Sequence, residues 1–194
     1  DKKLAKAYLA ERKENEDYEV VTQLPWWWNG GTYTRGAYES LFYYDAKKKS
    51  LTRLTAAGLS VSDVQLTEDR KTVYYSLLDV SVPRPAYFGG ADLYRMELTS
   101  RREEAVAKSR PDFNIAAYAL GRSFLLLLAA DGKYGMNTDV DFYTLDYETL
   151  AVSPCAVYGE SIGSSVGSDI RHGGGRTMKM DGDVLYFIST RFDG

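Results

Sequence analysis

The stretch whose residue types and spacing fit a catalytic motif is Gly159-Glu160-Ser161-Ile162-Gly163. The pattern G-x-S-x-G marks a nucleophile elbow, a sharp strand-to-helix turn that presents a serine hydroxyl to a carbonyl substrate. Such a serine needs a strand before it, a helix after it, and an Asp and then a His well downstream. Here the next residues are Ser164-Ser165-Val166-Gly167-Ser168, a poor helix start. Asp169 and His172 follow within 11 positions of Ser161, too close to come from separate elements of a hydrolase sheet. Ser161 is therefore read as part of a connecting loop, and no catalytic residue is assigned.

Other chemistry is equally constrained. The single cysteine, Cys155, excludes an internal disulfide and a multi-Cys zinc site. The single histidine, His172, excludes a His-rich metal centre. Asp139 and Asp141 form an isolated D-x-D at a strand start, where turn capping is the ordinary role. No metal and no cofactor are expected. The most unusual stretch is Pro25-Trp26-Trp27-Trp28-Asn29-Gly30-Gly31, which holds all three tryptophans. Side chains alternate faces along a strand, so at least one of these indoles would point away from the local core. Trp26, Trp27 and Trp28, with nearby Tyr33, are candidates for contact with a peptide, a sugar or another domain. The competing reading is packing under a loop.

Charge narrows the partners. There are 24 Lys and Arg against 27 Asp and Glu, a formal net charge of -3. So near a balance leaves no electrostatic footprint for nucleic acid or an anionic membrane. The longest apolar run, Phe124–Ala130, is far short of the ~20 residues that span a bilayer. No signal peptide is visible, and the expected location is cytoplasmic.

These residues need elements to hold them. The 194 residues are a prior for one domain, or for a piece of a larger one. A hydrophobic share of 44% is enough to build a core. Tyrosine is abundant, at 16, and proline scarce, at 5, a balance that favours half-buried pleated surfaces. Three segments look alike: Ser40-Leu41-Phe42-Tyr43-Tyr44-Asp45, Asp92-Leu93-Tyr94-Arg95-Met96-Glu97 and Asp141-Phe142-Tyr143-Thr144-Leu145-Asp146. Leu41 to Leu93 is 52 positions, and Leu93 to Phe142 is 49. Each segment is followed by a polar turn and another strand, over residues 50–55, 103–108 and 150–156. A second series, 72–76, 124–128 and 184–188, is strongly apolar, and each member follows a turn. Ahead of those turns lie candidate strands at 62–66, 114–119 and 177–180.

The unit is four short antiparallel strands recurring about every 50 residues, the period of a β-propeller blade. The expected fold is all-β, a partial β-propeller of four-stranded antiparallel blades, with the second strand of each blade covered on both faces by its neighbours. A β-sandwich would not need this ordered recurrence. Residues 57–109 and 110–158 read as full blades, 1–56 as the end of an earlier blade with an N-terminal extension, and 159–194 as the start of a later one. Residues 2–17 fit either a short amphipathic helix or a frayed strand running into a charged loop. The half-blades at each end leave unpaired strand edges, and self-association is expected.

Leu24-Pro25-Trp26-Trp27-Trp28-Asn29-Gly30-Gly31-Thr32-Tyr33, followed by Leu41-Phe42-Tyr43-Tyr44-Asp45 and Leu51-Thr52-Arg53-Leu54-Thr55, resembles the propeller of the prolyl oligopeptidase family, in its acylaminoacyl-peptidase-like branch. The later Ser164-Ser165-Val166-Gly167-Ser168-Asp169-Ile170-Arg171 and Asp181-Gly182-Asp183-Val184-Leu185-Tyr186-Phe187 are similar to that family's "nSD.r" loop and "DG..iyF" hairpin. The usual "SPDGk" turn is replaced by Thr67-Glu68-Asp69-Arg70-Lys71 in one blade and Ala119-Leu120-Gly121-Arg122 in the next. The resemblance implies a parent serine peptidase in which an α/β-hydrolase domain carries the catalytic residues. The propeller would shield that site and admit only short peptides. Two rivals stand beside this reading: a stand-alone binding or scaffold propeller of the TolB kind, and a sugar-lyase propeller, which the single histidine disfavours.

Overall fold

The computed structural model describes residues 2–14, 38–79, 90–134, 138–163 and 176–190. The chain divides into two compact units, Asp1–Ala37 and Tyr38–Gly194. In the first, α1 (Lys2–Glu14) is helical. Of the two readings open for this stretch, helix wins because Lys, Ala, Leu and Glu lose little side-chain freedom there.

The second unit is built of twelve strands among the described residues. β1 (Phe42–Asp45) and β2 (Ser50–Arg53) form a hairpin. β3 (Leu59–Leu66), β4 (Thr72–Asp79), β5 (Asp92–Glu97) and β6 (Glu103–Ala107) form a four-stranded sheet in chain order. β7 (Asn114–Leu120), β8 (Phe124–Ala130), β9 (Asp141–Asp146) and β10 (Val152–Ala156) repeat that sheet. β11 (Met178–Asp181) and β12 (Val184–Phe187) form a second hairpin. Every pairing is antiparallel and follows chain order, without the crossover of a Greek-key sandwich. The result is an open series of four-stranded blades, a partial β-propeller.

The repeat extends to single residues. Leu93 and Phe142 are each the second residue of a third strand, and they pair with Ala107 and Ala156 of the fourth. Leu41 stands one position before β1, where its carbonyl accepts the Leu54 N–H at 2.8 Å. The turns between third and fourth strands place Lys49, Arg101 and Leu150 at φ 50, 61 and 57. Arg101 and Leu150 each donate N–H to the carbonyl four residues back, at 2.9 and 3.0 Å. Three unlike side chains share one left-handed position because the turn, not the residue, dictates it.

Alternation along β8 feeds two cores. Leu125, Leu127 and Ala129 join Tyr74, Leu93 and Val106 of the preceding blade. Leu126 and Leu128 join Met178 and Met180 of the following hairpin. This two-faced burial is what the sequence predicted for a second strand, and β4 shares it. β12 departs from it: Val184 is 57% exposed and Tyr186 62%. Among the described residues no strand lies over that face, so an apolar sequence alone did not bury it. The adjoining turn is Gly182-Asp183, with Asp181 already paired to Val184, one residue later than the Asp-Gly pattern suggests.

Candidate functional site on the innermost strands

The first strands of the blades are the ones that approach each other, β3 beside β7 and β7 beside β11. They are the innermost strands of the blades. β3 is interrupted by a bulge between Ser62 and Gln65, where Asp63 takes φ 44. A bulge re-aims side chains, and here it aligns groups from three consecutive blades. The Tyr118 hydroxyl donates to the Asp63 carbonyl. The buried Gln65 amide donates from Nε2 to the Tyr118 carbonyl at 2.8 Å. Arg176, just before β11, places Nε 3.3 Å from Asp63 Oδ1 and donates from Nη2 to the Val64 carbonyl at 2.5 Å.

Burial raises the Asp63 carboxyl above its usual range, and the Arg176 guanidinium offsets only part of that rise. Burial likewise pushes the Tyr118 phenol upward, keeping it a neutral donor. The contribution of Asp63 to stability is fully present below the ordinary carboxylate pKa and is lost as pH rises through the raised folded value. Asp63→Asn is expected to remove that loss: the gap in urea midpoint between variant and parent should grow in the variant's favour from about pH 3 to about pH 7. A gap that shrinks over this interval would show that Arg176 over-compensates the burial.

Beside this network lies an open cavity of about 630 Å³. Arg122, Arg176 and Lys179 supply cations to its lining, and Glu68, Asp69 and Asp181 supply carboxylates. Hydrogen bonds from the Thr67 hydroxyl and the Lys71 N–H hold Asp69 below its usual range, so it stays ionised. Tyr147 closes one wall, its hydroxyl donating to the Gly121 carbonyl at 2.7 Å, while Arg95 Nη1 donates to the Tyr147 carbonyl at 2.9 Å. Fixed charges of both signs around a hydrogen-bonding wall suit a zwitterionic or peptide-like ligand better than a purely anionic one. Among the described residues no group of three or more His, Cys, Asp and Glu is placed to hold a metal.

The sequence pointed elsewhere. Trp26, Trp27, Trp28 and Tyr33 lie outside the described residues, as do Asp169 and His172. Ser161 sits on a pairing with the segment after β12: its carbonyl accepts from Ser189 Oγ at 3.0 Å and from the Thr190 N–H at 3.3 Å. Ile162 bridges Ser189, and the Gly163 N–H donates to the Ile188 carbonyl at 2.7 Å. Ser161 is thus held by strand-like pairing as far as Gly163. The single Gln in the strand run 59–66 was a usable signal for the inner network. Arg176, 112 positions from Val64, gave none.

No family model and no curated protein matches this sequence. Among solved structures, the crystal structure of TolB from Acinetobacter baumannii matches with a TM-score of 0.46 and 16% identity, over 63% of this chain and 27% of that one. The chain spans about a quarter of that structure's length. Among the described residues no helix is long and apolar enough to cross a membrane.

Proposed function

We propose that this chain is the non-catalytic propeller portion of a prolyl-oligopeptidase-type serine peptidase, and that its inner cavity takes short peptides on their way to a separate α/β-hydrolase domain. The observation that carries the reading is the mixed-charge lining of the cavity at the inner strands and the turns that follow them, where Arg122, Arg176 and Lys179 share the wall with Glu68, Asp69 and Asp181. A peptide's two termini and its backbone can all find partners there. The sequence resemblance around Trp26-Trp27-Trp28 and Leu41-Phe42-Tyr43-Tyr44-Asp45 supports the same choice.

Binding and turnover test it separately. In NMR titrations, short unblocked peptides should shift the side-chain resonances of Gln65 and Arg176, and a folded protein should not. The chain alone should leave an acyl-amino-acid anilide intact. Shifts with acidic oligosaccharides but not with peptides would favour the lyase reading. Equal shifts with peptides and folded proteins would favour a stand-alone binding propeller. Anilide turnover abolished by Ser161→Ala would overturn the non-catalytic assignment.

A further inference from the structure

Arg176 has more donors than the inner network uses. A guanidinium carries five N–H groups in a rigid planar fork. Nε meets Asp63 Oδ1 at 3.3 Å, and Nη2 donates to the Val64 carbonyl at 2.5 Å. Three N–H groups remain, two on Nη1 and one on Nη2, and among the described residues Nη1 has no partner. The side chain is half exposed, on the wall of the 630 Å³ cavity.

The groups that hold it are themselves held. Asp63 and Val64 sit in the β3 bulge, with Asp63 at φ 44. Gln65 Nε2 lies 3.4 and 3.5 Å from the two Asp63 carboxylate oxygens while it donates to the Tyr118 carbonyl. The Tyr118 hydroxyl donates back to the Asp63 carbonyl, and both Gln65 and Tyr118 are buried. A non-glycine residue at positive φ inside a strand persists where its surroundings over-determine it. An arginine ordinarily loses rotamer freedom when it captures a ligand, which weakens the capture. At Arg176 that freedom is already restricted. Among the described residues, Arg122 and Lys179 have no such tether to another blade. The wall beside them is partly apolar, through Leu66, Leu120 and Met178, and reduced water access strengthens a charged hydrogen bond.

We propose that Arg176 is the specificity-determining residue of the cavity, pairing through Nη1 and Nη2 with the C-terminal carboxylate of a short peptide. Two carboxylate oxygens match two parallel N–H donors. A terminal amide offers one oxygen and sets its own NH₂ donors against the second position. The cavity therefore selects peptides with a free C-terminus over capped peptides and over internal segments of longer chains. Glu68 and Asp181 remain on the wall for the ammonium end. Because Asp63 already offsets the charge of Arg176, the selection comes from the shape of the fork, which a lysine cannot reproduce. A purely structural clasp would be satisfied by the two bonds to β3 and indifferent to the ligand's terminus. This inference rests on the peptide reading above and sharpens it.

Calorimetric titration of the 194-residue chain with trialanine and with trialanine amide tests it. The free acid should bind at least about tenfold tighter than the amide, the scale of a charge-assisted pair. Arg176→Gln should bring the two affinities to rough equality, while Lys179→Gln should leave their ratio in place. If Arg176→Gln fails to fold, Arg176→Lys carries the test, with the ratio reduced to about threefold or less. Equal binding of acid and amide by the parent chain overturns this inference and leaves the peptide reading standing. So does a ratio that survives substitution of Arg176, or one that Lys179→Gln abolishes as completely. Binding of neither compound overturns the peptide reading and this inference with it.

Discussion

Leu127→Ala should lower the unfolding free energy of the 38–194 unit by about 2–5 kcal/mol, the range for emptying a packed leucine site. Leu127 is fully buried in the middle of β8, paired to Tyr118 on one side and Tyr143 on the other. Its side chain lies in the cluster that joins the two full blades, where Tyr74, Leu93, Val106 and Leu145 come from four different strands. None of those can collapse into the space without breaking strand register. Leu126, its neighbour on the opposite face, already borders an apolar cavity of about 420 Å³. Leu126→Ala should therefore cost clearly less. Urea denaturation of the two variants side by side decides it: equal losses would mean that the blade-to-blade core is no tighter than the open face.

Gly132→Ala should be almost as damaging, roughly 3 kcal/mol, through the backbone rather than the core. Gly132 follows β8 at φ 68, and a Cβ there would stand 1.9 Å from the Pro111 carbonyl oxygen. The Pro111 turn is itself tied by reciprocal Arg110 and Phe113 backbone bonds at 3.0 and 2.9 Å, so it does not yield freely. Gly159 is the control. It has φ 75 and nothing within 4 Å of a built Cβ, so Gly159→Ala should cost only the left-handed strain, about 1–2 kcal/mol. Thermal unfolding of both variants separates strain from collision. A Gly132→Ala protein no less stable than Gly159→Ala would remove the collision from the account.

The blades were legible because their signal is periodic and local. Leu93 and Phe142 stand 49 positions apart, and each is second in a third strand with one burial pattern. Of the inner network only Gln65, a lone amide in a strand run, was legible, because the rest depends on a bulge. Nothing in Ser60-Val61-Ser62-Asp63-Val64-Gln65 announces that Asp63 will turn to positive φ and meet an arginine more than a hundred residues away. β12 shows the limit from the other direction. Val184-Leu185-Tyr186-Phe187 is as apolar as the interior strands, yet burial belongs to the neighbour as much as to the residue. For the helix at 2–14, intrinsic propensity decided between two readings that periodicity alone left level.

The bonds between adjacent turns carry one more consequence. Asp183 accepts from the Ser123 N–H at 2.9 Å and its hydroxyl at 2.8 Å, and the Arg122 N–H donates to the Gly182 carbonyl at 2.9 Å. Such links, with the shared apolar faces, couple each blade to the next in line. Stability then behaves as a one-dimensional lattice, a sum of unit terms and nearest-neighbour terms. The β7–β10 sheet, with a partner on each side, occupies an interior lattice site, while among the described residues the β1–β2 and β11–β12 hairpins each adjoin a single four-stranded sheet. A perturbation of one unit reaches the next through these nearest-neighbour terms, and a bond such as Ser123 to Asp183 acts as a coupling constant between them.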